Sequence, residues 1–167
     1  MNIKEQPRNG DLDLHELELL EAARVYEDYA LTELRTAGYR ITMPRVQVIR
    51  ALSDTESAMS AYAIHDKIMK AGGKIDVVSV YRIVNTLQEI GLVHYVGLIG
   101  GYFPARQSSP KTNKTQVLLC NSCQRIYEMP ILPSVETEIE KQSGRSSYNL
   151  KTIKVELVAT QCPRCAN

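Results

Sequence analysis

Four cysteines are the residues of this chain whose type and spacing point to chemistry first. They fall in two pairs, Cys120-Asn-Ser-Cys123 and Cys162-Pro-Arg-Cys165. Each C-x-x-C pair sets two thiolates on one tight turn. Two such turns supply the four sulfurs of a tetrahedral site, the arrangement Zn²⁺ takes when its role is structural. With no cysteine left over and no open coordination position, that site would be closed and non-catalytic. Two other chemistries use the same residues. A pair of redox-active dithiols would need a thioredoxin-like βαβ setting, which the sequence lacks. An iron–sulfur cluster is not separated from zinc by S₄ spacing alone. No nucleophile stands beside a base and no glycine loop is built for phosphate, so the chain does not read as an enzyme.

The 38 residues between the two pairs must fold the turns together. Gln116–Leu119 and Gln124–Glu128 read as strands, and Ser134 is positioned to cap a helix that uses Val135 and Ile139. Lys151–Ala159 alternates, with Ile153, Val155, Leu157 and Ala159 on one face. A β-β-α-β unit of this size buries only a thin core and depends on a metal or a partner subunit. Residues 106–115 are polar, turn-prone and aperiodic, which makes them a hinge linker.

Upstream of the linker the period changes to 3.6. Leu17, Leu20, Ala23, Tyr26, Ala30 and Leu34 form the apolar stripe of a helix over 14–36, which Gly38 ends. Thr42 is placed to cap a second helix with Pro44 in its first turn and Val46, Ile49 and Leu52 inside. Ser60 caps a third, which buries Ile64 and Ile68 and ends at Gly72-Gly73. Asp76 caps a fourth, which buries Val80, Ile83, Val84, Leu87 and Ile90 and stops at Gly91. Leu92–Val96 and Tyr102–Ala105, separated by glycines, suit a short hairpin. By pattern alone this order fits a winged helix-turn-helix and a small helical bundle equally well.

Composition sets the surroundings. The chain has 167 residues, 44% hydrophobic and 23% charged, which are globular values. Residues 1–14 offer neither a basic nor an apolar leader, and no apolar run approaches the ~20 residues of a membrane span. These features suggest a soluble, cytoplasmic protein with no membrane partner. In that compartment disulfides are rare and paired cysteines more often bind metal. The net charge of +1 conceals an uneven distribution. Residues 1–33 carry 3 basic and 9 acidic groups, residues 34–105 carry 8 and 5, and residues 106–167 carry 9 and 5. Any affinity for nucleic acid must therefore come from the placement of the positive groups.

Three stretches are distinctive when taken together. They are Gly38-Tyr39-Arg40-Ile41-Thr42-Met43-Pro44-Arg45, Ser79-Val80-Tyr81-Arg82 and the paired C-x-x-C motifs. In this order they resemble the ferric uptake regulator (Fur) superfamily over roughly residues 30–165. Ser60-Ala61-Tyr62 and Gly91-Leu92-Val93-His94 are most similar to its zinc uptake regulator (Zur) branch.

The resemblance implies an α+β chain: an N-terminal winged helix-turn-helix domain followed by a small α/β dimerisation domain with a four-cysteine zinc site. The expected divisions are an acidic helical extension over 1–33, a winged-helix DNA-binding domain over 34–105, the hinge linker over 106–115 and the dimerisation domain over 116–167. It further implies a homodimeric regulator, most simply a repressor, that binds a double-stranded DNA operator. One structural Zn²⁺ per subunit would sit on Cys120, Cys123, Cys162 and Cys165. By position, Tyr81 would meet thymine methyls, Arg82 a base edge or phosphate, and Arg40 the minor groove. Arg45 and Ser79 would meet phosphate, Ser79 replacing the family's usual Thr. These roles suit the side chains, since arginine matches a guanine edge or a narrow, electronegative groove.

The regulatory metal site is where the sequence departs from the family. The four sensing positions of the Zur pattern fall on His94, Ala105, Asn113 and Glu128, of which only His94 and Glu128 are competent ligands. The Fur-type histidines fall on Ala58 and Lys154. Zinc sites use three or four protein ligands, so an intact second metal is not expected. Lys154 would instead pair with Glu128, an ammonium in the place of a cation, and leave a dimer competent for DNA without a sensed metal. A zinc-stabilised protein–protein adaptor derived from this fold is the alternative function. The retained set Arg40, Tyr81 and Arg82 argues against it.

Overall fold

The structure is a computed structural model that describes residues 14–106 and 114–165. The order is α1 (Leu14–Thr36), α2 (Met43–Ser53), α3 (Ala61–Lys70), α4 (Val77–Glu89), β1 (Val93–Val96), β2 (Gly101–Pro104), β3 (Lys114–Cys120), β4 (Ile126–Met129), α5 (Pro133–Arg145) and β5 (Ile153–Ala159). Four helices and the antiparallel β1–β2 wing make the first unit. A three-stranded sheet ordered β4-β3-β5 makes the second, with β3 antiparallel to β4 and parallel to β5.

The caps largely follow the side-chain chemistry. Ser60 accepts a hydrogen bond from Ala63 N at the start of α3, and Asp76 accepts one from Ser79 N at the start of α4. Two caps differ from the sequence reading. Thr42 occupies the cap position of α2 but makes no side-chain bond there. Helix α5 begins one residue before the expected Ser134: Leu132 is the cap residue and Pro133 fills the first turn, where its missing N–H costs nothing.

One continuous core holds the first unit together. It unites Tyr26, Ala30 and Leu34 of α1 with Ile49 and Leu52 of α2, Ile64 of α3, Val84 and Leu87 of α4, and Leu92. The buried Tyr26 hydroxyl donates to the carbonyl of Leu92 at 2.8 Å and ties α1 to the root of the wing. The boundary expected between residues 33 and 34 therefore falls inside α1, whose second half is integral to this core. The first half differs: Leu17 and Leu20, expected inside, are exposed, and the contacts of this end of the helix are polar, His15 meeting Arg164 at 2.7 Å and Glu56 at 3.4 Å. Residues 1–13, the remainder of the acidic leader, lie outside the described residues, as does most of the 106–115 linker.

The wing gains a third backbone segment from the α2–α3 loop. Met59 and Tyr102 exchange both N–H···O bonds at 2.9 and 2.8 Å. This close approach requires Gly101, because a Cβ there would lie 2.9 Å from the Cβ of Ala58.

A second apolar cluster joins the two units. Val96 and Phe103 of the wing pack with Val117, Leu119 and Ile126 of the sheet. The sheet's opposite face carries Leu118, Tyr127, Met129 and Leu157, matched across the strands, with Leu157 42% exposed. Helix α5 buries no residue fully. It is tied down by Lys114, which reaches Glu136 and Glu140.

Candidate metal centre and nucleic-acid interface

The four cysteines converge at one end of the sheet. Cys120 closes β3, Cys123 lies three residues on, and Cys162 and Cys165 follow β5, the parallel neighbour of β3. Parallel pairing places the two C-x-x-C turns side by side. Asn121 N donates to Ala159 O and the Ser122 hydroxyl to Thr160 O, both at 2.8 Å, so the first turn is fastened to the strand that leads into the second.

All four sulfurs lie within 4.8 Å of one another. The Sγ–Sγ distances are 3.5 Å for Cys120–Cys165, 3.7 Å for Cys123–Cys162 and 3.6 Å for Cys162–Cys165, and none of the cysteines is in a disulfide. A tetrahedron with Zn–S bonds of about 2.3 Å has edges of about 3.8 Å, so the cluster is already close to the shape the metal requires.

Donors are aimed at the sulfurs as well. The Tyr127 hydroxyl, the largest influence on Cys162, holds that thiol down at about 6. The N–H of Cys123 bonds Cys120 Sγ and lowers that thiol against the opposing effect of burial. Such donors favour thiolate, the form that ligates metal, at Cys120 and Cys162, whereas at Cys123 and Cys165, against the backbone donor on each, burial and the neighbouring sulfurs push the thiol up. In the first turn Gln124 adopts φ 60°, which lets its N–H return to Cys120 O at 2.8 Å.

The remaining sensing positions do not assemble a second metal site among the described residues. His94 Nε2 and Glu128 Oε1 are 2.8 Å apart in direct hydrogen bond, with side chains only 6% and 5% exposed. Ala105 is buried with no ligand atom to offer, and Asn113 lies outside the described residues. The expected Lys154–Glu128 pair does not form. Lys154 Nζ lies 3.1 Å from Glu156, two residues along the same face of the same strand, and over the ring of Tyr95. Among the described residues, the cationic residue near Glu128 is Arg106. Its backbone N–H donates to Glu128 Oε2 at 2.8 Å, and its guanidinium donates to the carbonyls of Ser53 and Thr55. Burial pulls that guanidinium below its ordinary value, with Tyr26 and Glu128 partly restoring it.

At the far side of the first unit, Tyr81 and Arg82 stand exposed on α4 while Val80, Ile83, Val84 and Leu87 fill the core behind them. Helical spacing alone produces this division. Tyr81 meets Tyr62 of α3 edge to face at 6.2 Å between ring centres, so two exposed rings share one surface. In the sequence Tyr62 is only a marker of the branch. Nothing in its own neighbourhood, two residues before the buried Ile64, singles it out, and only the packing of α3 on α4 reveals the pair.

Arg40 is exposed in the α1–α2 connection. Arg45 donates to the Arg40 carbonyl at 2.6 Å and lies over the Tyr39 ring, so it orders the turn that presents Arg40. Ser79 differs from expectation. Both its N–H and its hydroxyl donate to Asp76, at 2.8 and 2.6 Å, so both donors are engaged within the cap of α4. Ser79 is thus a capping partner in this structure.

Residues 36–158 match the Ferric uptake regulator family. The ferric uptake regulation protein of Legionella pneumophila is 24% identical over 134 residues, covering 80% of this chain and 96% of that protein. The fold is shared with a zinc uptake regulator complexed with zinc and DNA, with TM-score 0.70, 22% identity, and 93% of this chain and 97% of that one covered. It is shared also with holo XcZur, with TM-score 0.72, 20% identity, and 84% and 98% covered. No helix among the described residues is long and apolar enough to cross a membrane.

Proposed function

The chain belongs to the ferric uptake regulator family, and from that premise we propose that it is a homodimeric, sequence-specific DNA-binding repressor of the zinc uptake regulator branch, acting in the cytoplasm. The observation that carries the DNA reading is the exposed Tyr81–Arg82 face of α4, backed by a fully formed core and flanked by Tyr62. Helix α4 enters the major groove. Arg82 reads a base edge or holds a phosphate, the Tyr81 and Tyr62 rings contact thymine methyls, and Arg40 reaches the minor groove. Arg45 and Ser79 position these readers through the contacts already described.

One Zn²⁺ per subunit belongs on Cys120, Cys123, Cys162 and Cys165, a reading supported by the sulfur spacing and the donors around it. Zinc there supplies no reaction. It joins the two turns, and the chain's part is to hold four thiolates with N–H and O–H donors. The half-exposed face of Leu118, Met129 and Leu157 is where a second copy docks.

The test is Arg82→Ala in a titration against a selected operator at fixed salt. A lost bidentate base contact costs about 1–3 kcal/mol of discrimination, with the dimer mass and zinc content unchanged. Undiminished operator affinity would remove Arg82, and with it the α4 reading, from the proposal.

A further inference from the structure

The two units meet through three carboxylates, each bonded across the boundary. Glu128 of β4 joins His94 of β1 and the N–H of Arg106, as described. Glu156 of β5 accepts from Gly97 N at 2.8 Å and Leu98 N at 2.9 Å, and so holds the turn of the wing with both oxygens. Glu56, in the α2–α3 loop, accepts from Arg125 at 3.1 Å, just beyond the first C-x-x-C pair, and from Arg164 at 3.3 Å, within the second. Its backbone carbonyl also accepts from Ile126 N at 2.8 Å.

Register explains the placement of two of them. Val117 of β3 lies opposite Glu128 on one side and Glu156 on the other, so the row Glu128–Val117–Glu156 faces the wing. Val117 is in the apolar cluster with Val96 and Phe103. An apolar contact flanked by two buried or half-buried carboxylates, each aimed at backbone or imidazole donors of the other unit, admits one orientation. Sliding or rotating the wing would break the bonds from His94, Gly97 and Leu98, leaving Glu156 only Lys154 of its own strand, and low-dielectric surroundings penalise that loss.

We infer that this chain holds its winged-helix unit on its dimerisation sheet by a metal-free clamp, Glu128 and Glu156 around Val117, at the hinge where a regulatory metal does not fit. The inference rests on the regulator reading for its consequence, constitutive DNA competence, but not for the clamp itself. The misfit is local and chemical. His94 Nε2 and Glu128 Oε1 are spent on each other, Ala105 has no ligand atom, and Arg106 brings a fixed positive charge beside Glu128. Glu156 lies outside every sensing position of the family pattern, which makes it the residue that separates a clamp from a damaged metal site.

The experiment uses the full-length, zinc-loaded protein and two variants, Glu128→Ala and Glu156→Gln. Operator binding and small-angle X-ray scattering are measured with and without EDTA, and after addition of Zn²⁺, Mn²⁺ or Fe²⁺, with metal content determined alongside. Wild type should bind equally well in EDTA that leaves the four-cysteine zinc in place, and its radius of gyration should not change. Each variant should bind about tenfold more weakly, as when only a tenth of the molecules keep the competent orientation. Each should also expand in scattering, and no added metal should restore it. Wild type that needs a second metal to bind or to contract would overturn the clamp, as would a Glu156→Gln variant that binds and scatters like wild type. If wild type selects no duplex at all, the regulator reading fails separately. The scattering of Glu156→Gln then decides the clamp alone: expansion supports it and an unchanged curve overturns it.

Discussion

The two ends of this molecule reach stability by different routes. The helical unit closes its own core: Leu34, Leu52, Ile64, Val84, Leu87 and Leu92 are all fully inaccessible within one chain. The sheet unit does not. One face leans on the wing through Val117, Leu119 and Ile126, the other is half bare, and α5 buries nothing fully. What the second unit lacks in core it draws in part from the neighbouring wing, and the proposed zinc and second copy would supply the rest. Small units commonly divide the work in this way, because the fraction of surface buried falls with size.

The contrast is put at greatest risk by removing the metal. Cys123→Ser, or a chelator strong enough to strip the four-cysteine site, should unfold residues 114–165 and dissociate the dimer, since such sites contribute about 10–16 kcal/mol of folding free energy. Helical circular dichroism from α1 to α4 should largely persist. A metal-free protein with an ordered sheet would show that the second unit is more self-sufficient than its burial suggests.

A smaller loss is expected from Leu157→Glu. The residue faces outward beside Leu118, Tyr127 and Met129, where the latter three line an open hollow of about 390 Å³. A carboxylate forced into a dimer interface there costs several kcal/mol, so sedimentation should report monomers that keep their zinc. A variant that remains dimeric would place the second copy elsewhere. In the other unit, Leu87→Ala should cost about 2–5 kcal/mol by opening a cavity in a closed core. Thermal melting of the helical signal should fall while zinc content holds, the mirror image of the cysteine variant.

The same contrast explains what could be read in advance. The caps Ser60 and Asp76, the apolar faces of α3 and α4 and the two C-x-x-C turns are local, and spacing alone exposes them. Glu128 and Glu156 are not recognisable as a pair in the same way. They become neighbours of Val117 only through the register of β3 with both β4 and β5, strands whose sequence separations differ. Family position pairs Lys154 with Glu128, yet Glu156 lies two residues away on its own face and takes it. Arg106 is hidden for a similar reason: its backbone N–H, and not its charge, makes the bond to Glu128. Leu17 and Leu20 mislead in the opposite sense. Periodicity shows that a helix has an apolar stripe but not how far along the helix a neighbour extends.

The smallest effect concerns the cap of α4, and it tests whether the two units respond to acid independently. The Ser79 hydroxyl, and after it the Ser79 N–H, hold Asp76 below its ordinary value of 3.8. A carboxyl lowered on folding stabilises above its unfolded value, and that contribution disappears as pH falls through the lower, folded one. At pH 7, Asp76→Ala should therefore melt below wild type in the helical signal. Well below pH 4, about the unfolded value of an aspartate, the difference should narrow as wild type also loses the charge. A difference that stays constant from pH 7 to pH 3 would assign the cap to shape and not to charge. Acid also protonates the thiolates and releases zinc. If the helical unit closes its own core, its melt should follow the Asp76 titration and ignore that release. Collapse of wild type and variant together at the pH where zinc departs would mean the helices rely on the sheet as much as the sheet relies on its metal.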